Sequence, residues 1–187
     1  MLEGGVNFSC QMCGDCCRGS DEGEVYLYRD DIYRLTQHLG LFGKEGLRIF
    51  AQRYLKVIEN TFFHKEDGAQ KGKTFRFNTL AFAFEGQDEH CHFLVDNQCT
   101  VHLARPFQCR CFPFWKMMVS SRKNIINYSK KCKGLQVLQG RHYSKREILN
   151  WANEEYRIEK EYFLKLREHN FDILKVYPFL TEDMIDK

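Results

Sequence analysis

Four thiols fall within eight residues at Cys10-Gln-Met-Cys13-Gly-Asp-Cys16-Cys17. Thiols this close must share a metal, oxidise against one another or crowd. The spacing Cys10-x-x-Cys13-x-x-Cys16 lets three successive thiolates reach one face of an iron–sulfur cubane, with a fourth ligand brought from elsewhere in the chain. Two residues between ligands make a tight turn whose backbone N–H groups point back at the sulfurs and offset their negative charge. Zinc sites more often take their cysteines as pairs, so the triple run favours a cluster, expected as [4Fe–4S], over zinc. Adjacent Cys16 and Cys17 are expected to point apart. Cys10, Cys13 and Cys16 would then join one distant cysteine, and Cys17 the remaining three, so that two centres meet at the backbone.

The distant thiols come in three places. Cys91 and Cys99 flank a predicted hairpin with Asp96-Asn97 at its turn, which places both on neighbouring strands. Arg105-Pro-Phe-Gln-Cys109-Arg-Cys111 delivers two more and Cys132-Lys-Gly134 the last. Cys91, Cys99, Cys109 and Cys132 with the first four make two sets of four. Arg105 and Arg110 flank the late thiols, where guanidinium donors would offset the charge of a thiolate centre and help hold a cofactor. Arg105 could equally hold loop carbonyls around Pro106. His90, His92 and His102 lie near cysteines and read as supporting residues, since eight cysteines already complete two sites. Thiol–disulfide exchange at Cys13-Gly-Asp-Cys16 is disfavoured, because the motif lacks the strand-to-helix setting such sites use.

This combination resembles the YkgJ-like cysteine-cluster proteins, a zinc- or iron-chelating family marked by C-x-x-C-x-x-C-C near the N-terminus. The resemblance continues through Cys91-x-Phe-Leu, Cys99-x-Val-His-x-x-Arg105-Pro106, Cys109-Arg110-x-Phe-Pro-Phe114 and Cys132-x-Gly134, covering about residues 8–134. It implies a metal site. It also implies that Cys111, at the variable position of Cys-Arg-x-Phe-Pro, is an extra thiol and not a ligand. A related domain occurs in flagellin lysine N-methylases, which raises a protein-modifying enzyme as one further alternative.

The rest of the chain must position these sulfurs. At 187 residues it can bury a core without disulfides. No stretch approaches the roughly 18 apolar residues of a membrane span and the first residues lack a secretory pattern. The expected compartment is therefore the cytoplasm, where nine cysteines speak for metal or redox chemistry. With 28 basic and 25 acidic residues the balance names no partner. The basic run Arg122, Lys123, Lys130, Lys131 and Lys133 reads as a solvated face, with RNA or an acidic partner as the alternatives.

Helical spacing of Ile32, Leu35 and Leu39 predicts a helix capped by Asp30 or Asp31 and ended by Gly40. A second helix is predicted over about 44–62, and a hairpin or pair of short strands within Lys73-Thr-Phe-Arg-Phe-Asn-Thr-Leu-Ala-Phe-Ala-Phe. Residues 90–114 should be turns and short extended pieces. Ser144-Lys-Arg-Glu147 is a capping box opening a long helix to about His169. Phe75, Phe77, Phe82, Phe84, Phe112, Phe114 and Trp115 read as core.

The expected architecture is α+β: one cysteine-rich, loop-rich, metal-centred domain over residues 1–187, with short strands or hairpins and a C-terminal helical extension over about 144–187. The expected function is a cytosolic metal-binding protein with two tetrathiolate sites holding iron–sulfur, in electron transfer or cluster-assisted modification. A structural zinc module that mediates protein interactions is the alternative. The expected partner is a protein or small molecule, with neither a membrane nor nucleic acid favoured. No phosphate-binding loop or nucleophile elbow supports a kinase or hydrolase.

Overall fold

The computed structural model describes residues 3–18, 24–66, 68, 70–85 and 90–185. In chain order its elements are β1 (Val6–Phe8), α1 (Arg29–His38), α2 (Gly43–Tyr54), β2 (Leu55–His64), β3 (Lys73–Phe82), β4 (Phe84–Glu85), β5 (His90–Cys91), β6 (Leu94–Val95) and β7 (Gln98–Cys99). They continue with α3 (Phe107–Cys111), α4 (Lys116–Val119), α5 (Arg122–Lys131), β8 (Arg141–Tyr143), α6 (Lys145–Glu168) and α7 (Ile173–Val176). The fold class is α+β. Contacts gather in two units, residues 1–23 with 84–159 and residues 24–83 with 160–187. All nine cysteines belong to the first.

In the second unit α1 begins after Tyr28, not after Asp30 or Asp31. Asp31 lies in the first turn and accepts the Tyr28 backbone N–H at 3.4 Å, so the carboxylate supports the helix start from within. Gly40, in the left-handed region at φ 70°, follows the helix end as expected. The helix predicted over 44–62 is shorter than that. It ends at Tyr54, and residues 55–64 form β2, paired antiparallel with β3 from Leu55↔Phe82 to His64↔Lys73. β-Branched Val57, Ile58 and Thr61 suit a pleated strand, and a long partner satisfies its backbone, which overrides the helical spacing of the apolar residues. Residues 73–82 are thus one strand whose hairpin partner lies upstream.

The hairpin packs aromatic side chains on α6. Phe62, Phe75 and Phe77 surround Phe163, with ring centroids 5.0, 5.1 and 5.9 Å away. Phe163 is fully buried, as are Leu27, Ile32, Leu35, Phe50 and Leu80.

The first unit is built from short pieces. β1 pairs antiparallel with β8. Phe8, Phe114 and Ile148 form a buried cluster against which Phe112, Leu135, Tyr143, Trp151 and Cys132 pack. The capping box is formed as predicted: Ser144 N–H donates to Glu147 at 2.8 Å, and Glu147 N–H donates to the Ser144 hydroxyl at 3.3 Å. Residues 90–111 are turns and two-residue strands, closed by α3.

Candidate metal centre

Local backbone geometry places the early thiols. Gly14 sits in the left-handed region at φ 76° and caps a 3-10 turn over Asp15–Cys17, closed by a Cys17 N–H to Gly14 carbonyl bond of 2.9 Å. A Cβ at Gly14 would meet Leu94 Cδ1 at 2.9 Å and the Asn97 carbonyl at 3.4 Å, so glycine lets this turn lie directly on the β6–β7 hairpin. Arg18 adds a hydrogen bond to the Asn97 side chain. The hairpin turns at Asp96-Asn97, both with positive φ, as their Asx chemistry allows. Cys99 opposes Leu94, whereas Cys91 lies one strand earlier and opposes Phe84. The two thiols are therefore not on neighbouring strands of one hairpin.

Gly134 ties the last thiol to the first. Its carbonyl accepts the Ser9 N–H at 3.1 Å, one residue before Cys10, and a Cβ there would meet the Ser9 carbonyl at 2.6 Å and the Phe8 ring at 2.7 Å. Segments more than 100 residues apart in the chain are thereby stitched by backbone.

Cys16, Cys91, Cys99 and Cys109 lie in one another's electrostatic field in all six pairings. The Cys91 thiol is pushed up to about 11, chiefly by burial, with Cys99 and Cys16 adding to the effect. Burial likewise raises Cys99, and raises Cys109 well above the ordinary thiol value, with Cys91, Cys16 and Cys99 adding to the effect. Cys16 is raised first by its contact with Cys17 and then by burial. The expectation that Cys16 and Cys17 point apart is corrected here. Within the 3-10 turn their sulfurs are 4.0 Å from each other.

Several thiols receive backbone donors from residues just ahead: Cys91 from Phe93, Cys99 from Val101, and Cys132 from Leu135 and Gly134. Such N–H groups stabilise a thiolate, and their recurrence in three separate loops suits metal ligation. Cys132, raised by burial, is coupled to Cys16 and Cys13, and Cys99 to Cys10. Around Cys13, the Asp15 carboxyl is held below its usual range by hydrogen bonds from Lys133 and Cys13. The Asp15–Lys133 ion pair of 3.1 Å joins the first thiol loop to the residue after Cys132. The sequence reading counted Lys133 in a solvated basic run and passed over Asp15, because their partnership exists only once the loops meet.

The two arginines separate. Arg105 donates from Nε to the His102 carbonyl at 3.0 Å, and its cation also lowers the thiol values of Cys16, Cys99 and Cys109. Arg110 donates to the Arg105 carbonyl at 3.1 Å, lies over the Phe107 ring and acts electrostatically on Cys111. His102 is pushed below its ordinary value by burial and then by Arg105. Cys111 stands apart from the other thiols. It is fully buried, donates to the Gln108 carbonyl at 3.4 Å, and is raised by burial and then by Glu155.

Among the described residues no three His, Cys, Asp or Glu side chains are gathered closely enough to hold a metal ion. The donors nevertheless fit zinc or iron in kind: soft thiols, backbone N–H groups aimed at sulfur, and a cation in the field of three of them. Ligation then requires the loops to close, which couples binding to local order.

Fold and site together define a cysteine-cluster metal-binding protein of α+β class. The family model CxxCxxCC, described as "Putative zinc- or iron-chelating domain", matches residues 9–133, and the chain belongs to that family. No solved structure matches the chain. No helix among the described residues is long and apolar enough to cross a membrane.

Proposed function

We propose that the protein holds two thiolate centres, Cys16 with Cys91, Cys99 and Cys109, and Cys10 with Cys13, Cys17 and Cys132, and that it serves one-electron transfer through iron–sulfur. The observation that carries this reading is that Cys16, Cys91, Cys99 and Cys109 each lie in the electrostatic field of the other three. It exchanges Cys16 and Cys17 relative to the grouping expected from sequence. A bound cluster supplies a one-electron store tuned by its hydrogen bonds and surroundings. The chain's own part is to bring in the thiols, aim N–H groups at Cys91, Cys99 and Cys132, and place the Arg105 cation near the first set. Arg110, engaged with Phe107 and Cys111, stabilises α3 in this scheme, whereas the sequence reading gave it to the cofactor.

Anaerobic purification with iron, zinc and sulfide analysis tests the reading. Iron and sulfide should be present, Cys109→Ser should remove the metal of one centre and Cys132→Ser that of the other. Loss of all metal from either single variant would sink the two-centre grouping, and zinc without sulfide would sink the cluster.

A structural zinc module is the second reading. It is favoured by the 4.0 Å separation of Cys16 and Cys17 sulfurs, because thiolates about 2.3 Å from a tetrahedral zinc stand about 3.8 Å apart.

A further inference from the structure

Charge is segregated along the chain in a way its total conceals. Residues 97–146 hold eleven Lys and Arg and no Asp or Glu, while the remainder carries 17 cations against 25 anions. Cys99, Cys109 and Cys132 all lie inside this cationic stretch.

Its centre is α5, which buries none of its residues and leads directly into Cys132. Arg122 and Lys123, Ile126 and Asn127, and Lys130 and Lys131 are exposed, and their spacing of four places them along one side of the helix. Arg122, Lys123 and Lys130 make no ion pair among the described residues. One exposed apolar side chain, Ile126, 42% exposed, lies among these charges, and a second, Met117, 62% exposed, is on the preceding α4, where its carbonyl accepts Asn124 Nδ2 at 2.7 Å. Apolar contacts with cations around them suit a protein partner whose face is acidic. Single-stranded RNA would need exposed rings for base stacking. The one aromatic of α5, Tyr128, is instead half-buried with its ring 6.5 Å from that of Trp115.

We infer that the Arg122–Lys130 side of α5 is the docking surface for an acidic protein and, resting on the electron-transfer reading above, that this partner is a one-electron carrier. Charge complementarity selects the occupant, and the continuity of α5 with Cys132 brings it beside a thiolate centre. Docking forms no covalent bond. One electron crosses, lost by the carrier and gained by the chain.

The test uses the full metal-loaded chain and flavodoxin as the acidic probe, with affinity measured by calorimetry as ionic strength rises from about 0.01 M to about 0.15 M, where the Debye length shrinks from about 30 Å to about 8 Å. Binding should weaken by about tenfold or more. The Lys123→Glu/Lys130→Glu variant should lose about tenfold at low salt with metal content and circular dichroism unchanged, while Lys145→Glu should change it by less than about twofold. Salt-insensitive binding, an unchanged affinity in the double variant, or tighter binding of oligouridine than of flavodoxin would each overturn the proposal. If flavodoxin binds with the expected charge dependence but its reduced form passes no electron to the iron-loaded chain, the surface stands and the electron-transfer reading falls.

Discussion

At the scale of single residues, Cys111 and Gly14 separate folding from metal chemistry. Cys111 is surrounded by Gln108, Trp115 and Glu155 and not by the other thiols. Cys111→Ala should leave metal content unchanged while lowering stability by about 1–2 kcal/mol through lost packing. Metal analysis alongside denaturant melts checks both halves, and a loss of metal would make Cys111 a ligand after all. Gly14→Ala works in the opposite direction. It forces a side chain into a left-handed backbone against Leu94, at a cost of about 1–2 kcal/mol. Because the strained turn carries Cys16 and Cys17, metal retention should fall more than the thermal transition does.

At the scale of elements, α6 contains a titration that sulfur chemistry does not account for. Burial raises the Glu159 carboxyl from 4.5 to about 7, with Glu155 adding repulsion and Lys116 opposing it. Between these values the folded chain keeps a proton that the unfolded chain has released. Stability therefore falls as pH rises through this window, and the penalty is complete above about pH 7. Glu159→Gln should match the parent near pH 5 and melt at a higher temperature near pH 8. Parallel melting curves across that range would show that the carboxylate remains charged and solvated in the folded chain. The α2–β2 boundary teaches a different lesson about elements. Apolar residues over 44–62 fit a helix by spacing alone, yet Leu55 to His64 pair with β3, because a strand partner ten residues long outweighs local period.

At the scale of the whole molecule, every cysteine belongs to one of two contact units, and the unit formed by residues 24–83 and 160–187 has none. Chelation under reducing conditions should therefore lower hydrogen-exchange protection in residues 90–135 and leave β2, β3 and their Phe163 contacts protected. Equal loss of protection in both units would mean that metal binding and the folding of the whole chain are one transition. The sequence by itself determined the close-spaced thiols of the family motif, the Asp96-Asn97 turn and the Ser144–Glu147 cap, because each depends on residues near one another in the chain. Only the tertiary structure decided that Cys16 lies in the electrostatic field of Cys91, Cys99 and Cys109, that Arg105 and not Arg110 lies in that field too, and that Asp15 meets Lys133. Those pairings depend on Gly14 and Gly134 letting backbones approach where any Cβ would collide, a condition set by segments as distant as Ser9 and Gly134.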